Sequence, residues 1–343
     1  MKLLDVRAPL EFHRGTLPGA VNLPLLTDTE RAEVGTSFKR EGRAQAIELG
    51  IRLLEPQRKN REDAWLNWAT KEENPILFCA RGGLRSQISQ NWLSLRGKEV
   101  LRIKGGYKAL RAELRRTLTR NLRFWILGGH TGSGKTSFLA DSRHRFCQNK
   151  KTIDLEALAN HRGSAFGKPL LNPQPSIQDF ENRLALEVHR HSEADLLLLE
   201  DESKMIGKIR IPEIFYAKLA ASELIFLDVP EAERIENILR DYVEQIQNDH
   251  GVMVLGQTLF NSLSSIKKKL GMERFTKIFG LMERAIRENS TDDHRAWIRG
   301  LLREYYDPMY EYSMKKKNRR IRFRGPRDEV VDYLNEQYAK LAQ

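Results

Sequence analysis

The chain has 343 residues, 40% of them hydrophobic and 30% charged, which excludes a fibre or a largely disordered protein and leaves room for two domains with separate cores. Its longest aliphatic run, Leu196 to Leu199, is far too short to span a bilayer, and its two cysteines, Cys79 and Cys147, cannot form a disulfide framework or a cysteine zinc cluster. The net charge of +12 is uneven, with +10 in residues 1–125, −1 in 126–230 and +3 in 231–343, a bias that points to a polyanionic partner. The opening Met1-Lys2-Leu3-Leu4-Asp5 brings an acid before any apolar core, so it does not read as a signal peptide and a cytoplasmic protein is expected.

In chain order, Leu3-Leu4-Asp5-Val6 and Pro75-Ile76-Leu77-Phe78 read as strands. Gln87 to Leu95 reads as a helix, and Val100 to Ile103 as a strand closed by Gly105-Gly106, which makes residues 1–106 an α/β domain. Residues 107–123 place Tyr107, Leu110, Leu114 and Leu118 at helical spacing among basic residues and predict a linker helix. A second α/β unit over 124–230 opens with a strand, Phe124 to Leu127, that runs into Gly128-Gly129. Its later strands are Leu196 to Leu199 and Leu224 to Leu227. Residues 231–343 predict a helical, basic region packed on that second unit.

Cys79-Ala80-Arg81-Gly82-Gly83-Leu84-Arg85-Ser86 lies between a predicted strand and a predicted helix. A strand-to-helix turn converges backbone N–H groups, and the helix start adds partial positive charge. Gly82 and Gly83 permit the tight bend, and Arg81 and Arg85 add full charges. All three effects favour thiolate over thiol, so Cys79 is the candidate catalytic nucleophile. Arg81, Gly82, Gly83, Arg85 and Ser86 form the candidate anion loop around it. The loop resembles the active-site loop of rhodanese-like domains. Leu4-Asp5-Val6-Arg7 and the run from Gly15 to Pro24 look like that family's opening motifs, and Ile103-Lys104-Gly105-Gly106-Tyr107 like its closing one. Thr16 stands where many members have His, and the sequence begins almost on the first core strand, so an N-terminal element common in the family is expected to be missing or shortened. The Cys-x5-Arg length is similar to the phosphatase members and suits a tetrahedral, phosphate-like anion, but Phe78 stands where the phosphatase signature has His. A phosphatase and a chalcogen transferase with a phosphate-bearing donor both fit.

Gly129-His130-Thr131-Gly132-Ser133-Gly134-Lys135-Thr136 matches G-x4-G-K-[ST] between a strand and a helix. In such a loop the backbone around Gly129, Gly132 and Gly134 cradles phosphates, Lys135 reaches the terminal ones, and the Thr136 hydroxyl can bind Mg²⁺. Any pyrophosphate suits the motif. A partner acid is expected at the end of a neighbouring strand, where Glu200 and Asp201 stand. A P-loop kinase or phosphohydrolase with an appended anion-binding rhodanese-like module is therefore the alternative for the whole chain.

Further motifs follow: Asp154-Leu155-Glu156, the stretch from Ala159 to Gly167, Pro173-Gln174-Pro175-Ser176, Phe180-Glu181-Asn182, and the stretch from Glu200 to Gly207. With the two domains, they resemble the tRNA 2-selenouridine synthase family over most of the chain. That resemblance implies conversion of 2-thiouridine at the tRNA wobble position to 2-selenouridine through S-geranyl-2-thiouridine. It implies geranyl diphosphate and selenophosphate as substrates, no permanently bound cofactor, and Cys79 as the residue that carries selenium. A selenophosphate-supplying enzyme is a candidate partner and Mg²⁺ a candidate ion. The chemistry of the loops matches geranyl diphosphate to residues 129–136 and selenophosphate to residues 79–85; the reverse pairing, or a nucleotide at the P-loop, stays open. His161, Arg162 and Ser164 are candidate pocket residues, with a capped loop and a structural arginine as the other reading. His189 and His191 are two apart and do not share a helix face, and Cys147 lacks a glycine cradle and is expected to be inert.

A tRNA substrate requires basic surface. One candidate stripe runs from Arg96 to Arg123 and includes Arg115 and Arg116. The other runs from Lys315 to Arg327 with Lys315, Lys316, Arg319, Arg320 and Arg322, and with Phe323 placed to stack on a base. No membrane partner is expected.

Overall fold

The computed structural model describes residues 2–141, 152–164, 166–167, 173–191 and 196–341. Cys147 lies outside them. The chain divides into two compact units, Met1–Thr119 with Pro175–His189, and Arg120–Gln174 with Arg190–Gln343.

The first unit is built on a four-stranded sheet of β1 (Leu3–Asp5), β2 (Val21–Asn22), β3 (Ile76–Phe78) and β4 (Leu101–Arg102), in the order β2-β1-β3-β4 with every pair parallel. The inner strands β1 and β3 are short and largely buried, while the edge strands β2 and β4 keep exposed residues. Between β2 and β3 the chain forms helices Asp28–Arg40, Arg43–Leu54 and Arg58–Ala69. The first starts at a capping box, Thr27 with Glu30. Trp65 is fully buried, and its Nε1 donates to the Leu23 carbonyl at 2.9 Å. Truncating a side chain so placed costs about 3–5 kcal/mol.

The helix predicted over 107–123 forms as Gly106–Thr117. It is an integral part of the first unit, since Tyr107, Leu110 and Leu114 pack with Leu17 and Phe78. Helix Ile177–His189, placed by sequence in the second domain, also groups with the first unit. Polar bonds explain why. Thr16 donates its N–H to Asp179 Oδ1 at 2.8 Å, and Asn182 Nδ2 donates to the Thr16 carbonyl at 2.6 Å. Asn182 Nδ2 also reaches Tyr107 Oη at 2.9 Å, and Arg111 pairs with Glu181. The main chain of Thr16 thus holds this segment, while its hydroxyl donates to Asp5 Oδ2 at 2.9 Å.

The second unit carries a five-stranded parallel sheet. Its strands are β5 (Arg123–Gly128), β6 (Thr152–Ile153), β7 (Leu196–Glu200), β10 (Glu223–Leu227) and β11 (Ile321–Gly325), in the order β11-β10-β5-β7-β6. A small antiparallel hairpin, β8 (Met205–Ile206) and β9 (Ile209–Arg210), follows β7. β7 is buried along its whole length, the burial expected of a central parallel strand. The glycine-rich loop leaves the C-terminal end of central β5, where open α/β sheets bind ligands. After β10 the chain is helical as predicted. Leu255, Leu259, Leu263, Ile266 and Leu270 recur every three or four residues and pack with Ile278, Met282, Trp297 and Ile298. The expectation of a helical C-terminal region fails at Ile321–Gly325. This segment is strand β11, hydrogen-bonded to β10 at the sheet edge, because Phe323 and the following helix Arg327–Leu341 supply an apolar face to the same core.

Candidate functional site

In the first unit, Cys79 follows β3 directly and Gly83 is the N-cap of helix Leu84–Leu95. The turn is as tight as the glycines imply. A Cβ at Gly82 (φ +64°) would lie 2.7 Å from the Gly105 nitrogen, and one at Gly106 (φ +57°) would lie 2.2 Å from the Cys79 carbonyl. Cys79 Sγ is 3.2 Å from Ser86 Oγ, and both side chains are buried. Burial alone pushes the thiol up. The Ser86 hydroxyl, the N–H groups of Arg81 and Ser86, and the Arg85 charge outweigh it and leave the thiol below its ordinary range. Arg85 is not a free cation: its guanidinium grips Glu11, with Nη2 to Oε1 at 3.1 Å. Glu11 was not singled out from the sequence, because it stands far from the loop in the chain. Burial raises its carboxyl, but the bond to Arg85 holds it below the usual carboxylate range. Arg81 is exposed beside the loop.

In the second unit, Gly129 (φ +152°) and Gly132 (φ +85°) leave no room for a side chain: a Cβ would lie 2.6 Å from Ser133 Oγ at the first and 2.7 Å from the Arg234 carbonyl at the second. Gly134 (φ +71°) caps helix Lys135–Ala140. Helix Glu231–Leu239 braces the loop, with Arg234 Nε donating to the Thr131 carbonyl at 2.9 Å and Asn237 Nδ2 to the Gly132 carbonyl at 3.0 Å. Lys135 Nζ donates to the Gly129 carbonyl at 2.9 Å. Ser133 Oγ is buried without a hydrogen-bond partner.

Three carboxylates meet beside this loop. Glu156, Glu200 and Glu202 each bring an oxygen within 4.8 Å of the others. Thr136 Oγ1 donates to Glu156 Oε2 at 3.2 Å, and neither buried oxygen of Glu200 meets a hydrogen-bond partner. Burial first, then mutual repulsion, pushes Glu156 and Glu200 well above the usual carboxylate range. The same causes push Glu202 up to about 7. Gly163 (φ +49°) lies against the cluster, where a Cβ would stand 2.2 Å from Glu156 Oε1 and 3.0 Å from Glu202 Oε1.

Residues 1–113 match the rhodanese-like domain, and residues 122–341 match the tRNA 2-selenouridine synthase AAA domain. A tRNA 2-selenouridine synthase from Pseudomonas fluorescens (strain Pf0-1) is 46% identical over 97% of this chain and 94% of its own. Those of Cupriavidus necator and Shewanella oneidensis are 43% and 40% identical, each over 97% of this chain and over 93% and 91% of their own. The chain belongs to the tRNA 2-selenouridine synthase family.

Within that family frame, the structure divides the residues singled out from sequence. Cys79 and Ser86 converge, as do Lys135, Thr136 and Glu200. Asp201 does not join the acids. Its Oδ1 takes Lys317 Nζ at 2.7 Å and Arg319 Nη1 at 2.5 Å, and these cations hold its carboxyl low against burial. Asp201 is thus the anchor of a buried ion network, and Glu202 takes the place expected for it. Of the pocket candidates, Arg162 donates to the Asp241 carbonyl at 2.9 Å and to Gln245 Oε1 at 3.2 Å, and its guanidinium lies over the Tyr242 ring. Ser164 lies beside Tyr242 and His161 is buried against Gly207. Among the described residues of this stretch, it is Gly163 that lies against the carboxylates.

The basic C-terminal run is also reassigned in part. Arg319 has a side chain only 1% exposed, so it cannot meet a phosphate. Arg322 pairs with Glu223 at 2.7 Å and lies over Trp125, and Phe323 stacks on Tyr333 with centroids 4.3 Å apart, so it offers no free ring to a base. Lys315, Lys316 and Arg320 remain exposed, as do Arg115 and Arg116.

Proposed function

We propose that this protein acts on tRNA as a tRNA 2-selenouridine synthase, converting wobble 2-thiouridine to 2-selenouridine through S-geranyl-2-thiouridine. The supporting observation is the joint presence, in a chain of this family, of a thiolate-favouring anion loop and a P-loop with a buried carboxylate cluster. The first step is S-alkylation. The thiouridine sulfur attacks C1 of geranyl diphosphate, the C1–O bond breaks, diphosphate leaves with the electron pair, and the base loses its N3 proton. We assign the diphosphate to residues 129–136. Ser133 Oγ, buried without a partner, fits a phosphate oxygen there, and Lys135 would exchange the Gly129 carbonyl for the anion.

The orphaned oxygens of Glu200 fit a divalent cation, with Glu156, Glu202 and the Thr136 hydroxyl as further ligands. When bound, that cation would neutralise charge on the departing diphosphate. Gly163 closes over the acids and keeps bulk from the cluster.

The second step exchanges sulfur for selenium. Selenium attacks C2 and geranylthiolate leaves, a far better leaving group than a thiocarbonyl sulfur. The Cys79 thiolate then attacks phosphorus, the P–Se bond breaks with its electron pair left on the selenium of the base, and water hydrolyses the S-phosphocysteine to phosphate and free thiol. We assign selenophosphate to the Cys79 loop, where Arg81 and the turn N–H groups receive its phosphate and the Cys79 thiolate serves the selenium step.

The test is Cys79→Ala, followed by mass spectrometry of tRNA nucleosides with 2-thiouridine tRNA supplied. Selenouridine should vanish while S-geranyl-2-thiouridine forms at near the normal rate. Retention of both products would remove Cys79 from the selenium step, and loss of both in a folded variant would give it a role in the alkylation step as well.

A further inference from the structure

One strongly charged surface of the second unit is used by neither loop. Helix Val252–Leu270 ends, and helix Met272–Arg287 begins, at the single residue Gly271 (φ +87°). Burial of Leu263, Ile266 and Leu270 on one helix and Ile278 and Met282 on the other fixes this hairpin to the bundle. Its turn is left in solvent. Lys267, Lys268, Lys269, Arg274 and Lys277 are all exposed, five cations in the eleven residues from Lys267 to Lys277.

The opposing charge is small. Glu304 approaches Arg274 at 3.5 Å and Lys277 at 3.6 Å, and Glu273 is the one acid within the turn. Among the described residues no carboxylate lies within 4 Å of Lys267, Lys268 or Lys269, while Lys267 Nζ sits 4.9 Å over the Phe275 ring.

Compensation of the helix dipole accounts for one or two lysines in a last turn. It does not account for three in succession, which spread over about 200° of the helix circumference. Nor does it account for Arg274 in the first turn of the next helix, where a cation is disfavoured. An external polyanion accounts for both. The run from Lys315 to Arg324 is less available. Four of its seven cations, Lys317, Arg319, Arg322 and Arg324, are held in pairs of 2.5–2.7 Å with Asp201, Glu223 or Asp228.

We propose that the turn from Lys267 to Lys277 is a docking surface for the phosphate backbone of tRNA. This rests on the reading that tRNA is the substrate. Lysines here act as point charges that follow the backbone and fix its position, without reading sequence.

The experiment uses the full chain and an unmodified tRNA transcript, with binding followed by fluorescence anisotropy across a potassium chloride series. The triple variant Lys267→Gln, Lys268→Gln, Lys269→Gln should flatten the slope of log affinity against log salt by about 0.7–0.9 for each phosphate no longer neutralised, roughly 2 in all. Affinity at low salt should fall at least tenfold. The matching triple arginine variant should keep the wild-type slope, since charge and reach are retained. All three positions are exposed, so far-ultraviolet circular dichroism should be unchanged. Equal slopes and affinities for wild type and the glutamine variant would overturn the docking surface while leaving the tRNA reading intact. A wild-type protein that does not bind tRNA at all would overturn the reading itself, and the docking surface with it.

Discussion

Replacing Glu202 with glutamine should make the second unit more stable at alkaline pH, although it removes a buried group from the candidate site. The reason is the direction in which the carboxyl is perturbed. Its pKa rises from 4.5 in the unfolded chain to about 7 in the fold, chiefly from burial and then from the Glu200 charge. The folded state therefore binds this proton more tightly than the unfolded state. The stabilisation is complete below about pH 4.5 and is lost as the pH rises through 7. At about 1.4 kcal/mol for each pH unit between the two values, the loss by pH 8 is on the order of 3 kcal/mol. For a unit of this size that corresponds to roughly 6–12 °C in melting temperature. Glutamine keeps the shape, can still accept from Glu156 through its amide oxygen, and has no proton to lose. Calorimetry of the full chain in EDTA should show variant and wild type melting together near pH 5, and the variant melting higher at pH 8. Adding Mg²⁺ at pH 8 should raise the wild type more than the variant, which keeps only two of the three carboxylates, because the cation does for the carboxylates what the proton does at low pH. Parallel pH profiles for the two proteins, or an equal Mg²⁺ response, would refute the reasoning.

Three further outcomes follow from the geometry. Ser86→Ala removes the main hydrogen bond that offsets burial of Cys79, so the thiol pKa should rise, read as a shift to higher pH in the rate of alkylation by iodoacetamide. Asp201→Asn strips the counter-charge from Lys317 and the buried Arg319 and should cost about 3–5 kcal/mol in urea unfolding of the metal-free protein, where an unchanged unfolding curve would deny Asp201 this anchoring role. Lys135→Ala should weaken geranyl diphosphate binding in calorimetric titration with the fold unchanged; equal affinity would move that substrate away from the P-loop.

The parts of these sites written in contiguous residues were legible in the sequence. A glycine loop between a strand and a helix carries its own geometry, so Cys79 to Ser86 and Gly129 to Thr136 could be read without a partner. What the sequence hid depends on pairing across the chain. Of the three consecutive acids Glu200-Asp201-Glu202, the sequence offered Glu200 and Asp201 as partners of the P-loop. Along a strand and its exit successive side chains face opposite ways, so Glu200 and Glu202 turn to Glu156 while Asp201 turns to Lys317 and Arg319. The same long-range pairing concealed Glu11 behind Arg85, and moved helix Ile177–His189 into the first unit through Thr16 and Asn182. Strand β11 was masked by its five-residue mixture of arginine with apolar residues. Its arginines face acids on the sheet edge, so the segment reads as basic while its backbone is committed to β10.

The two loops impose opposite electrostatic demands, and the structure answers them differently. At Cys79 the anion is the chain's own, and donors converge on it until burial is outweighed; Glu11 then tempers Arg85, so the loop is polarised without carrying two unopposed arginines. At the P-loop the chain supplies an excess of negative charge, three carboxylates against Lys135, and a diphosphate would add more. One lysine cannot neutralise both the acids and an arriving diphosphate in a site of low dielectric. The charges can coexist only if the acids stay protonated or if a divalent cation enters with the substrate. Protonated acids would hold no metal and could not assist the leaving diphosphate. On the proposed assignment of diphosphate to the P-loop and of a cation to the acids, the two would be mutually dependent ligands. Each should raise the affinity of the other, by the same factor, in titrations carried out in either order.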